Sequence, residues 1–222
     1  MHAEKVLVEG NAFPGLFARS SDKITLTGMV PEKFASSMER VLKTRVARIG
    51  LCGSSLCGIF SVINSTGIIV PHLALSSEIA QLKKLGLNVL ALKGRHSAVG
   101  NNLIANDRGA IANPRMDKKT LKLAADALGV EITQMEIAGH QTVGSVCIAT
   151  NRGFLAHHNT RDDELEKIES ALRVKGGIGT LDMGVPFVGL CAVANSSGFV
   201  VGEPTSGFEL ARMDEALGFA GH

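Results

Sequence analysis

The chain has 222 residues, 45% of them apolar and 20% charged, with a net charge of +2. That length can bury a sizeable core in one domain, and so small an excess of positive charge argues against coating nucleic acid through its phosphates. No apolar run approaches a bilayer span and no basic–apolar–small-residue leader opens the chain, so a cytoplasmic protein with no membrane partner is expected.

In chain order, Lys5-Val-Leu-Val-Glu9 reads as a strand, followed by a glycine, Gly15, in Ala12-Phe-Pro-Gly-Leu-Phe-Ala18. Phe34, Met38, Val41 and Leu42 then form one apolar helical stripe. The segment Gly58-Ile-Phe-Ser-Val-Ile-Asn64-Ser-Thr-Gly67 sets a fuller version of the pattern: glycine, apolar run, asparagine turn, glycine. Its helix carries Ile79, Leu82 and Leu85 and stops at Gly86. The third copy begins at Gly100. Val99 to Ala105 predicts a strand, Asn106-Asp-Arg-Gly109 a turn whose last glycine supplies positive φ, and Ala110-Ile-Ala112 a second strand. Asp117 caps a helix with Leu121, Ala124, Ala125 and Leu128 on one face, Gly129 ends it, and Val130 to Met135 is a third strand.

The fourth copy, from Gly144 to Gly153, places Asn151 at the turn, and Thr160-Arg-Asp-Asp163 opens a helix bearing Leu165, Ile168 and Leu172. The fifth, from Gly189 through Asn195 to Gly198, has a helix with Leu210, Met213 and Leu217, ended by Gly218 and followed only by Phe219-Ala-Gly-His222. Successive repeat glycines (Gly15, Gly58, Gly100, Gly144, Gly189) lie 43, 42, 44 and 45 residues apart, the period of a repeat architecture. With no linker in between, residues 1–222 read as a single domain of five repeats. The last repeat lacks a third strand and the N-terminus has one to spare. This predicts an α/β fold in which the N-terminal strand closes a ring: a five-bladed α/β-propeller of the pentein type with pseudo-fivefold symmetry, strands inside and helices outside. A propeller of WD type would show Trp-Asp pairs and no helices, and the chain has no tryptophan.

The chemistry-bearing residues are sparse. Cys52 and Cys57 have the wrong spacing for zinc, and Cys147 and Cys191 fall in predicted apolar strands as buried thiols. His157 and His158, adjacent in a strand, would face opposite ways and read as a solvated pair rather than metal ligands. No metal and no cofactor is expected. The run Lys118, Lys119, Lys122 reads as a solvated helix face.

Ser97-Ala-Val-Gly-Asn101, Ile104-Ala-Asn-Asp-Arg-Gly109, Gln141-Thr-Val-Gly-Ser145 and Glu203-Pro-Thr-Ser-Gly-Phe-Glu209 resemble the translation initiation factor six family, from about Gly10 to Leu217. One departure is His158, where the family's strand usually ends in proline. The chain stops just after its fifth helix, without the extension of eukaryotic members, so the resemblance points to an archaeal one. It implies a ribosome anti-association and large-subunit maturation factor. Such a factor binds the large ribosomal subunit on its subunit-joining face, near the sarcin–ricin loop and an adjacent ribosomal protein, with limited ribosomal RNA contact. A monomer without enzymatic activity is expected. The residues following the repeat glycines, Leu16, Ile59, Asn101, Ser145 and Leu190, open their strands, and Asn101 and Asn102 are an unusual polar pair there. Ile59, Asn101, Asn102, Ser145 and Leu190 are therefore the candidate ribosome contacts. The alternative is a guanidino-modifying pentein enzyme with Cys191 as nucleophile and His140 as base. The even repeat spacing leaves no room for its lid, and fold alone does not settle the choice.

Overall fold

The computed structural model describes residues 2–220, so the Gly221-His222 end noted above lies, with Met1, outside the described residues. Fifteen strands form a mixed α/β fold: β1 (Ala3–Val6), β2 (Ala18–Ser20), β3 (Ile24–Thr27), β4 (Arg45–Arg48), β5 (Val62–Ile63), β6 (Gly67–Pro71), β7 (Asn88–Leu92), β8 (Leu103–Ala105), β9 (Ala110–Ala112), β10 (Ile132–Gln134), β11 (Cys147–Ala149), β12 (Phe154–His157), β13 (Gly176–Gly179), β14 (Ala192–Asn195) and β15 (Gly198–Gly202). They make five three-stranded sheets of one design. A tight turn pairs the first two strands antiparallel, as in Cys147↔Ala156, and a helix returns the chain so that the third runs parallel to the second, as in Ile24↔Arg45. A parallel pair cannot be joined by a hairpin, which is why the first four repeats need a helix between their second and third strands. These helices span Glu32–Leu42, Ser76–Lys83, Lys118–Leu128, Asp162–Leu172 and Gly207–Ala216.

The fifth sheet takes its third strand from the other end of the chain. β1 pairs in parallel with β15, from Ala3↔Phe199 to Val6↔Gly202. The expected strand lay at residues 5–9; the pairing sits about two residues earlier because Val8 bonds instead to Asn11 in a turn. Arg40 of the first helix grips Glu4 of β1, with Nη2 2.6 Å from Oε1. Burial raises the Glu4 carboxyl, but the hydrogen bonds from Arg40 and Ser37 outweigh it and hold the group below its ordinary value.

The first strands of the sheets touch in cyclic order, β2 on β5, β5 on β8, β8 on β11, β11 on β14 and β14 on β2. The core is accordingly divided into apolar layers between sheets. In one of them Val193 and Val200 pack with Val6, Val8, Phe34 and Met38. None of these layers belongs to one repeat alone, so a single repeat has little to bury by itself.

Several local expectations are corrected. Val99–Asn102 is a helical turn, and the strand begins only at Leu103. Cys57–Phe60, Val143–Val146 and Val188–Cys191 do the same, and Pro14–Leu16 is a 3₁₀ turn. In each, the N–H of the residue after the repeat glycine closes the turn, as from Asn101 to the carbonyl of Ala98 (3.1 Å). The apolar run looked like strand because its length fits one; the glycine contacts described below impose the turn. The turn glycines Gly67, Gly109, Gly153 and Gly198 do not have positive φ. They are required because a Cβ would collide with the backbone of a neighbouring repeat's helix, for Gly109 at the carbonyl of Ala171. The fourth helix is not capped by Thr160, which bonds the carbonyl of His157. Its first N–H groups are served by Glu164, which accepts from Arg161 N at 3.0 Å. Asp117 does cap the third helix, accepting from Thr120 N at 3.0 Å.

Candidate functional site

The five repeat glycines meet. A Cβ on Gly58 would strike the carbonyl of Gly15, one on Gly100 that of Gly58, one on Gly144 that of Gly100, one on Gly189 that of Gly144, and one on Gly15 that of Gly189. The backbones therefore stack at a spacing no side chain permits. Behind them lies a cavity of about 40 Å³ with walls from all five repeats, room for about three waters by volume.

Arg19 of β2 lines that cavity and reaches the glycine turns. Its Nη1 donates to the carbonyls of Gly189 (3.0 Å) and Gly15 (3.2 Å), and Nη2 to that of Gly100 (3.3 Å). Among the described residues no carboxylate pairs with it: burial pulls the guanidinium down to about 10, and it remains charged at neutral pH. An arginine in a three-residue strand gave no sequence signal, and the role of Arg19 was missed.

Of the candidate contacts, Ile59, Asn101 and Leu190 are half-buried on the helical turns bordering the glycines, whereas Asn102 and Ser145 are buried. Asn102 is fully engaged inside the fold: Nδ2 donates to the carbonyl of Ala98 (2.8 Å) and Oδ1 accepts from Asn113 Nδ2 (2.7 Å). Asn101 differs, since its buried Oδ1 has no partner among the described residues.

The opposite end of the cavity is closed by side chains. Asn106 Oδ1 accepts from the N–H groups of Arg108 (2.8 Å) and Gly109 (2.9 Å), while Nδ2 donates to the carbonyls of Thr150 (3.0 Å) and Leu172 (2.9 Å) in the next repeat. Asn64 and Asn195 do the same. In the fourth repeat the residue in this place is Thr150 rather than Asn151: Thr150 Oγ1 accepts from the N–H groups of Arg152 and Gly153. Asn151 lies one step outward, where its Nδ2 bridges Asp22 (2.7 Å) and Asp107 (2.6 Å).

The groups a catalytic reading would use are poorly disposed. All four cysteines are free thiols, three of them buried. Cys191 is the last residue of a helical turn, not part of a strand. Burial, and next the nearby Asp182 carboxylate, push its thiol well above its ordinary value, away from a reactive thiolate. Burial likewise pushes Cys57 up to about 12. His140 faces His157 (ring centroids 5.1 Å) and Phe187 (5.5 Å). His157 and His158 are not a solvated pair on opposite faces: His157 ends β12 and is buried, His158 begins the turn, and their rings stack at 4.7 Å. Burial first, then the two neighbouring histidines, lower the His157 pKa. Among the described residues no group of three or more His, Cys, Asp or Glu is placed to hold a metal, and no helix is long and apolar enough to cross a membrane.

The eIF-6 family model matches residues 3–216, nearly the whole described chain. The chain belongs to the eIF-6 family. Among its relatives, translation initiation factor 6 of Thermoplasma acidophilum is 40% identical, over 96% of this chain and 98% of the relative. That of Methanocaldococcus jannaschii is 37% identical over 92% of each. That of Pyrococcus horikoshii is 34% identical over 99% of this chain and the full length of the relative. The family is one of initiation factors in protein biosynthesis, and these relatives are archaeal.

Proposed function

We propose that the chain is a single five-bladed α/β-propeller of the pentein type. In this reading it binds the large ribosomal subunit at its subunit-joining face, holds off the small subunit until joining is due, and takes part in large-subunit maturation. The observation that carries this is the family match across residues 3–216. The cyclic strand contacts, the β1–β15 pairing and the stacked glycines support the closed propeller.

A factor that occupies a surface needs a rigid face and no turnover. The glycine end provides one, bearing the half-buried Ile59, Asn101 and Leu190 on its helical turns, with the buried Ser145 and Asn102 behind them as supports for the same contact. The partners in this reading are a ribosomal protein near the sarcin–ricin loop and a limited stretch of ribosomal RNA, met by a cytoplasmic monomer. Catalysis of the guanidino type is disfavoured because the guanidinium of Arg19 already lines the cavity, and burial holds the thiol of Cys191 well above its ordinary value.

Co-sedimentation with separated subunits tests this. The protein should pellet with large subunits, not with small ones, and should reduce joined ribosomes in proportion to the fraction bound, without nucleotide. Asn101→Asp and Ile59→Asp should weaken that association while melting stays cooperative. Equal pelleting with both subunits, or with neither, rejects the proposal.

A further inference from the structure

The loops that lead from one sheet into the next glycine turn share a device. Four of them are pinned by a short backbone bridge: Val8↔Asn11, Leu51↔Ser54, Ile137↔His140 and Leu181↔Val185. In two of them a carboxylate three residues past the cap of the following helix completes the job. Glu78 accepts from the N–H groups of Cys52 (2.9 Å) and Gly53 (3.0 Å), and Glu209 from those of Met183 (3.2 Å) and Gly184 (2.8 Å). The fold thus places a negative group against successive N–H groups at this point of the repeat, a concavity suited to anions.

The third repeat breaks the pattern. Its loop, Lys93–Ala98, has no such bridge, and the residue matching Glu78 and Glu209 is Thr120, whose hydroxyl is turned onto Asp117 Oδ2 (2.7 Å). Among the described residues, the N–H groups of Gly94, Arg95 and His96 have no partner. In place of the missing carboxylate there is an open cavity of about 420 Å³ lined by Lys93, Arg95, His96 and Arg115. None of these four side chains makes an ion pair among the described residues. The one acid in the lining, Asp117, is spent on capping the helix.

We infer that this cavity takes an external phosphate in the place that a carboxylate holds in the second and fifth repeats, and that the phosphate belongs to an RNA backbone. A tetrahedral anion suits a cavity whose lining includes two guanidinium groups, Arg95 and Arg115, and the ammonium of Lys93. The cavity is open, whereas Glu78 and Glu209 are buried at the matching points of their repeats. The loop also runs directly into the turn carrying Asn101, so the site borders the contact face. The assignment to RNA rests on the proposed ribosomal docking; the anion site itself does not.

The test uses the whole protein with two probes, a short single-stranded RNA and inorganic phosphate, beside the double variant Arg95→Gln/Arg115→Gln. The variant should bind RNA about tenfold more weakly, with a salt slope shallower by roughly 0.7 for each phosphate released. Arg108→Gln, at the far end of the molecule, should change neither. Inorganic phosphate should compete with RNA and shift the amide resonances of residues 94–96 in the unsubstituted protein but not in the variant. Unchanged RNA affinity in the double variant overturns the site. Phosphate shifts without RNA competition overturn the assignment to RNA. Large-subunit sedimentation of the unsubstituted protein, run in parallel, separates the two ideas. Loss of RNA binding in the variant, where the unsubstituted protein fails to sediment, keeps the site and rejects the docking; the reverse pair of results keeps the docking and rejects the site.

Discussion

The two ends of the central cavity are sealed by different chemistry. At one end five glycines bring main chains together, with Arg19 donating to their carbonyls. At the other, side chains of Asn64, Asn106 and Asn195 reach from each repeat to the next, with Thr150 and Ser21 holding the same turns without reaching across. The first seal depends on the absence of atoms, so any substitution adds a clash. The second depends on hydrogen bonds, and a hydroxyl can do part of an amide's work. The glycine end is therefore strict and the turn end tolerant.

The largest effect should come from removing what both ends rely on. Deleting residues 1–9 strips β15 of its parallel partner and takes Val6 and Val8 from an apolar layer, so the protein should aggregate or lose cooperative melting. An unchanged melting scan would contradict the strand exchange. Next, Gly100→Ala places a methyl against the carbonyls of Gly58, Ile59 and Ser61. It should cost about 3 kcal/mol or more in urea unfolding, because the atoms it meets are all backbone, which cannot yield as a side chain can.

The tolerant end should respond by degrees. Asn106→Ala loses two bonds within its turn and two to the next repeat, and leaves buried groups unpaired; about 3 kcal/mol is expected. Thr150→Ala loses only bonds inside its own turn and should cost about 1 kcal/mol. Equal costs would erase the distinction between linking and local turns.

The smallest effect concerns Asp182, near the glycine end, whose Oδ1 accepts from Thr205 Oγ1 (2.7 Å) while the buried Oδ2 has no partner among the described residues. Burial raises its pKa above the ordinary 3.8. A carboxyl raised in the folded state favours folding most below its unfolded pKa, and that contribution is lost as pH rises through the folded value. Asp182→Asn, permanently neutral, should therefore match the parent in acid and become the more stable of the two towards pH 7, as read by urea midpoints at both pH values.

The repeat period, the five helices and the exchanged strand were legible because they depend on glycine spacing and on apolar stripes that each repeat restates. The positions of the strand starts were not. Val99 to Ala105 has the composition of one strand, yet its first half is a helical turn that packs Gly100 against the backbone of Gly58 in another repeat, a contact distant in sequence. Counting from Gly144 to Gly153 identified the fourth turn, yet picked Asn151 over Thr150 because residue type was weighed above distance from the glycine. His157 looked solvated because burial by His140 depends on a loop remote in sequence. Arg19 was invisible for a related reason: its partners are three carbonyls from three different repeats, and carbonyls carry no residue identity.

The exchanged strand also sets a clock. Ala3 has no sheet partner until Phe199 has been synthesised, a wait of roughly 10–40 s at about 5–20 residues per second. Throughout that interval the earliest segment of the nascent chain must remain unpaired while four later repeats assemble beside it. Pairing of β1 with β15 is therefore a late event, and a chain released before Gly202, however well its first repeats fold, cannot form it.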